Sequence, residues 1–265
     1  MVAKMKKNKS IIILIFAIAF LTVSVSLFTF PEVSKRTAKN DAKRKSETFD
    51  NTVQDLQEEG NYHDAVKNGK ITEKGHPIDE DTGEVIYEYS YVYQQDIDKL
   101  YNDSVNYNNS LKERQDLNID FSTAALELTN YGIWDGIFGY IRIPSIDLIV
   151  PIYLGSSVNN MSIGVTHLMN TSLPIGGVGT NSVIAGHTGY IGRTFFDSLP
   201  NLHVGDTIYV TNFWGTMEYS VVSSKVIGAT DTNDCYIQKE KDLLTLMTCT
   251  NAGRERYQVQ CERIN

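Results

Sequence analysis

From Tyr140 to its end the chain is a succession of short runs rich in Val, Ile and Tyr, and this texture restricts the fold more than any other feature. The runs cover residues 140–146, 148–154, 182–187, 207–213, 217–227, 243–250 and 257–264. Turn formers separate them, among them Pro144, Gly155, Gly176-Gly177 and Gly205-Asp206. Seven or eight short strands at this spacing predict a closed β-barrel or a sandwich. A parallel α/β sheet would need a long helix between successive strands.

Upstream of Gly139 the pattern differs. Residues 11–30 hold no charge, and about twenty helical residues span roughly the 30 Å of a bilayer's hydrocarbon. Lys4, Lys6, Lys7 and Lys9 precede the run and no small-x-small cleavage site closes it. The expectation is a transmembrane signal anchor over 11–30, with 1–10 as a basic cytoplasmic tail. Lys35, Arg36, Lys39, Lys43, Arg44 and Lys45 follow closely and oppose that orientation on charge alone. Residues 31–95 read as a polar, acidic extracellular segment. In it Tyr87, Tyr89, Tyr91 and Tyr93 alternate as a strand would. Residues 96–138 read as a helical preface. Ile97, Leu100, Tyr101 and Leu111 recur at helical spacing, and a second helix is expected from Asp120 or Ser122 to a C-cap at Gly132. Residues 139–265 form the remaining, mainly β domain.

The chain has 265 residues, 42% hydrophobic and 21% charged, which suits an ordinary globular core. Its net charge of −8 excludes broad electrostatic binding of nucleic acid, which needs a basic face to release phosphate counterions. The three cysteines, Cys235, Cys249 and Cys261, all follow Asp234, so no disulfide framework spans the chain and an odd thiol remains.

Strand alternation ranks these thiols. Leu244 and Leu246 share one face of their run, and Thr245, Met247 and Cys249 share the other. With the leucines inside, Cys249 faces outward. In the last run Tyr257, Val259 and Cys261 share a face opposite Arg256, Gln258 and Gln260. Cys261 is then a small core residue, and Arg256 stands on the wet side near Cys249, across a short turn at 251–255. Cys235 falls in a polar loop. Of the five histidines, His63 and His76 lie in the acidic segment with no partner at metal spacing. No Cys-x-x-Cys or His-Glu-x-x-His pattern occurs, so no zinc site is expected. His187 ends an apolar strand before Thr188-Gly189, where a rigid element opens into a loop. It is a candidate acid or base, or a hydrogen-bonded structural histidine, and His167 and His203 are weaker candidates. Asp79-Glu80-Asp81-Thr82-Gly83 lacks the spacing of a calcium loop and reads as a solvated charge run. Gly176-Gly177-Val178-Gly179 reads as a turn rather than a phosphate cradle, because no Gly-Lys-Ser/Thr follows.

These residues resemble the sortases, cysteine transpeptidases of Gram-positive cell surfaces. Thr245-Leu246-Met247-Thr248-Cys249 fits the family's Thr-Leu-x-Thr-Cys motif. His187 fits its catalytic histidine in a Gly-His context, and Arg256 the arginine that follows the cysteine. The stretch from Gly139 through Ile152-Tyr153-Leu154-Gly155, with Thr171-Ser172-Leu173-Pro174-Ile175-Gly176-Gly177, resembles the class C, pilin-assembling branch. The likeness runs from about residue 100 to residue 264 and leaves out the acidic segment.

The resemblance implies a closed eight-stranded barrel whose groove holds Cys249, His187 and Arg256, with no cofactor and no metal. Cys249 would attack a substrate threonine carbonyl, His187 would protonate the departing amine, and Arg256 would bind the substrate backbone or the oxyanion. Thr188 and Thr248 stand beside them as substrate-contacting positions. The implied substrates are surface or pilin proteins bearing a C-terminal Leu-Pro-x-Thr-Gly-type signal. The acceptor is a pilin lysine or, alternatively, a peptidoglycan amine, and both meet the enzyme on the outer side of the membrane. A reading from another class is a peptide-binding barrel with a purely structural thiol. Class C relatives commonly cover the groove with a lid bearing an Asp-Pro-aromatic triplet. Here the corresponding stretch is Glu113-Arg114-Gln115-Asp116-Leu117-Asn118, which keeps Asp116 but has Leu117 in place of a ring and no proline. The expectation is a groove that Leu117 covers only partly, or one with no lid.

Overall fold

The computed structural model describes residues 2–117 and 121–264, with side chains from Phe16 onward apart from a few in the first helix. The β-rich runs form eight strands: β1 Ile137–Ile143, β2 Leu148–Leu154, β3 Val165–His167, β4 Thr180–Ala185, β5 Thr207–Asn212, β6 Gly215–Gly228, β7 Asp242–Thr250 and β8 Glu255–Arg263. They close into one barrel in the order β1-β2-β3-β4-β7-β8-β6-β5. Closure leaves no free sheet edge, which is why a barrel is preferred to an open sheet. Two pairs, β2 with β3 and β4 with β7, are parallel; all others are antiparallel. Alternate side chains fill the interior, among them Ile141, Ile152, Ile184, Leu244, Leu246 and Val259, none exposed. Gly139 has a steric duty. Where β1 passes β5, a Cβ at this position would lie 2.1 Å from the Thr211 carbonyl oxygen.

The strand boundaries depart from expectation where local chemistry intervenes. Pro144 cannot donate to a ladder, so the first run stops at Ile143 and turns through a 3-10 segment, Pro144–Ile146. β3 has only three residues, too few to show alternation in sequence. A short helix, α4 (Val158–Ile163), precedes it; the Ser157 hydroxyl caps it by accepting from the Asn160 N–H at 3.2 Å.

At the other end, α1 (Val2–Gln54) is one continuous 53-residue helix. It does not supply the expected transmembrane helix: among the described residues no helix is long and apolar enough to cross a membrane. The uncharged run is not an element of its own. Residues 11–15 lie outside the described side chains. The helix then continues unbroken through Glu32, Lys35, Arg36 and Lys39. Its far end is seated on the barrel. Phe49 is buried, its ring 4.7 Å from that of Phe213, and the Tyr140 hydroxyl donates to Asp50 at 3.0 Å.

Between helix and barrel lie two shorter helices, α2 (Tyr62–Lys67) and α3 (Gln94–Glu113). α3 turns Ile97, Leu100 and Leu111 inward, as their spacing predicts, while Tyr101 stays exposed. Asn108 fixes α3 to the barrel domain: its Nδ2 donates to the Leu173 carbonyl, and its Oδ1 accepts from the Leu173 N–H at 2.7 Å. The expected tyrosine strand does not form. The segment has only isolated bridges, such as Gln57 with Tyr93; the Tyr91 ring meets those of Tyr89 and Tyr93, and Tyr93 is buried with Tyr62, Ala65 and Ile71. With no strand running alongside, alternation alone cannot hold an extended ladder. The acidic run closes a turn in which Asp79 Oδ1 accepts from the N–H groups of Asp81 and Thr82, and these bonds hold the carboxyl below its ordinary range. The helix expected to end at Gly132 shrinks to a 3-10 turn, Leu128–Tyr131, although Gly132 does close it at φ 74°. Residues 118–120, including its expected start at Asp120, lie outside the described residues.

Candidate active site

β4 and β7 run parallel and in register, with Ala185 beside Met247. Two residues beyond each partner stand His187 and Cys249, so both emerge at the same end of the barrel. The ladder persists past the end of β4, because the Gly186 N–H donates to the Met247 carbonyl at 3.0 Å and the Thr248 hydroxyl donates to the Gly186 carbonyl at 2.7 Å. Gly186 has no room for a side chain, since a Cβ would lie 2.8 Å from Phe196. The histidine is braced on its far side. Its ring stacks on Tyr190 at 5.2 Å and 17°, and its carbonyl accepts from the Phe196 N–H. The Asp197 carboxylate ties the loop between them by accepting from the N–H groups of Gly189 and Phe195.

Arg256 joins from the antiparallel side, directly opposite Cys249 in the β7–β8 register. Its Nη1 donates to the carbonyls of Gly253 at 2.8 Å and Glu255 at 3.1 Å, which fixes the guanidinium at the rim. The other N–H groups have no partner among the described residues. Arg254 is exposed instead, its guanidinium turned back on Asn251.

His187, Cys249 and Arg256 line one cleft of about 570 Å³, together with Thr248 and Leu117. Two expected contacts are not brought in: Thr188 is exposed beyond the cleft, and Asp116 is exposed with its carbonyl accepting from Asn170 Nδ2. Thr248 borders the cleft, but its hydroxyl is committed to Gly186. Leu117 is buried and packs with Val183, Ile227, Cys235 and Met247. Gln115 ties down its approach: Nε2 donates to the Asn170 carbonyl at 2.9 Å, and Oε1 accepts from the Ile237 N–H at 2.9 Å. An aromatic ring does line the cleft, that of Phe121. It lies beyond residues 113–118, the stretch that corresponds to the lid triplet.

The remaining thiols and His167 are occupied with structure. Cys261 lies inside the barrel, and burial pushes its thiol up. Cys235 is buried rather than held in a polar loop; desolvation, with Asp234 and Asp231 nearby, pushes it up to about 12. Neither yields thiolate near neutrality. His167 is wholly buried in β3, its Nε2 set against the Thr171 carbonyl, and desolvation lowers it to about 4. His203 is exposed and away from the cleft. The cleft therefore joins a half-buried thiol, an imidazole and a fixed guanidinium, the groups that acyl transfer through sulfur requires.

A family model described as the sortase domain matches residues 141–264. Sortase A of Listeria monocytogenes is 30% identical over 116 residues, 43% of this chain and 50% of that protein. The chain spans about half the length of the curated relatives it matches. Among solved structures, Sortase C1 of GBS Pilus Island 1 superposes with a TM-score of 0.58 at 31% identity, covering 66% of this chain and 85% of that one. Sortase C-1 of Streptococcus pneumoniae gives a TM-score of 0.58 at 33% identity, covering 65% of this chain and 91% of that one.

Proposed function

The chain belongs to the sortase family, and we infer that it is a cysteine transpeptidase cutting a Leu-Pro-x-Thr-Gly-type signal between Thr and Gly. The observation that carries this reading is the convergence of Cys249, His187 and Arg256 on one cleft from three separate stretches of chain. The Cys249 thiolate attacks the threonine carbonyl carbon, forming a C–S bond. The Arg256 guanidinium meets the charge on the tetrahedral oxygen, an interaction of about 3–4 kcal/mol in comparable sites. Protonated His187 delivers its proton to the glycine nitrogen as the C–N bond breaks. An acceptor amine then attacks the thioester, His187 takes the amine proton, and the thiolate departs.

The acceptor in this reading is a pilin lysine. It is supported by likeness to Sortase C1 of GBS Pilus Island 1 and to the pilus-related sortase C of Group B Streptococcus. The same reading sets the barrel on the outer side of the membrane, where sorting signals and amines meet. The test incubates the full chain with a peptide containing Leu-Pro-Glu-Thr-Gly and measures intact mass. An acyl adduct ending in threonine on Cys249, released by a lysine-bearing peptide, is expected. No adduct, or one on Cys235, would overturn the reading.

A further inference from the structure

One polar side chain beside Met247, a residue that lines the cleft, has no explanation in the fold. On the outer face of β7 and β8, Cys249 pairs with Arg256, and the next pair on that face is Met247 with Gln258. Gln258 is 2% exposed, and neither its Oε1 nor its Nε2 has a partner among the described residues. Its neighbours on that face offer nothing. Met247 is packed with Leu117, Val183, Ile227 and Cys235. Lys225, opposite Gln258 on β6, is paired with Asp234, and Gln260 donates to the Asp234 carbonyl. A buried carboxamide unpaired at both ends is costly, and an aliphatic residue of the same size would avoid that cost. Stability therefore does not account for the glutamine.

We propose that Gln258 is a specificity-determining residue that hydrogen-bonds the substrate backbone on the acyl side of the cleaved bond. The inference rests on the transpeptidase reading of the cleft. Successive residues on one face of a strand are about 6.6–6.8 Å apart. A peptide extended along β7 and β8, with its attacked carbonyl at Cys249, therefore brings the group two residues upstream level with Gln258. In a Leu-Pro-x-Thr-Gly signal that group is the carbonyl of the proline–x linkage. The carboxamide supplies the N–H donors it needs. Apolar Leu117 and Met247, which line the cleft on this side, suit the leucine and proline. Met247 lines the cleft and is unbranched, so the proposal needs only its side chain, and not the Leu117 wall, to turn aside when the peptide seats.

The test uses the full chain and two quenched fluorogenic peptides: Leu-Pro-Glu-Thr-Gly, and the same sequence with an ester in place of the Pro–Glu amide, a much weaker acceptor. Wild type is expected to prefer the amide by about tenfold in kcat/KM. Gln258→Leu is expected to lose about tenfold on the amide peptide, mainly through KM, to treat both peptides alike, and to melt higher than wild type. Gln258→Met serves the same comparison should the leucine variant fold poorly. A Gln258 variant that matches wild type on the amide peptide, or that keeps the amide preference, would overturn the assignment while leaving the transpeptidase reading intact. A wild type that cleaves neither peptide would overturn both.

Discussion

The two faces of the β7–β8 pair are built from alternate residues of the same two strands, yet they do opposite work. The inner face carries Leu244, Leu246, Val259 and Cys261, none of them exposed, and its thiol is held protonated by burial. The outer face carries Cys249 and Arg256 at the rim, with Met247 and Gln258 deeper under the segment that bears Cys235. The two thiols sit on neighbouring strands of one sheet. What separates a filler from a candidate nucleophile is the side of the pleat and the distance from the barrel's open end, because those two settings decide hydration and which neighbours can reach the sulfur.

Exchanging each thiol should break this comparison most sharply. Cys249→Ala should lower transpeptidation by about a thousandfold or more, since the covalent step then has no nucleophile. Cys261→Ala should leave turnover within about twofold while lowering stability by about 1–2 kcal/mol, the loss of a small buried apolar group. Peptide turnover and urea unfolding of the two proteins check both halves. Substantial activity in Cys249→Ala, or its loss in a folded Cys261→Ala, would reverse the roles of the two faces.

The outer face can be sharpened next with its arginines. Arg256 is opposite Cys249 with its guanidinium anchored in the cleft, whereas Arg254 two residues earlier turns back onto Asn251. Lysine keeps the charge but not the fixed planar fork. Arg256→Lys should therefore lower kcat/KM by about a hundredfold, and Arg254→Lys should change it by less than about twofold. Equal losses would show that net charge at the rim, rather than donor geometry, is what matters.

Much of this arrangement is legible before any coordinates. β2 was readable to the residue because Gly155 and the Pro144 turn bracket it, and the inward set of Cys261 follows from alternation with Val259. The union of His187 with Cys249 is not written in either segment. It depends on β4 and β7 being parallel neighbours in the barrel, a pairing between distant residues that local pattern does not encode. The tyrosine segment misled for the converse reason: alternation was present, but the partner strand that would make use of it was not. Parity puts Gln258 on the same face as Arg256, yet it is buried there, because the segment with Asp234 and Cys235 lies against its neighbours Gln260, Lys225 and Met247.

The smallest expected effect concerns what lies over the outer face. Leu117 and Phe121 border the cleft, and the question is whether they form a fixed wall or a cover that must leave before Cys249 reacts. Two observations favour the wall. Leu117 belongs to a buried cluster with Val183, Ile227 and Met247 that does not include Cys249, and Cys249 remains half-buried rather than sealed. The chain just before Leu117 is tied by Gln115 to Asn170 and Ile237, and by the Asp116 carbonyl to Asn170 Nδ2, which are bonds that opening would have to break. A cover in closed–open equilibrium slows a small reagent by the fraction of time it is closed, so its removal accelerates reaction in proportion. A wall imposes no such delay. Alkylation of Cys249 by iodoacetamide should accordingly rise by less than about threefold in Leu117→Ala/Phe121→Ala, equivalent to about 0.7 kcal/mol of barrier. Gln115→Ala, which frees the approach without shortening either side chain, should stay within the same limit. An acceleration of tenfold or more in either protein would mean that the segment closes over the thiol in the resting state, and that the outer face is reached only through an opening step.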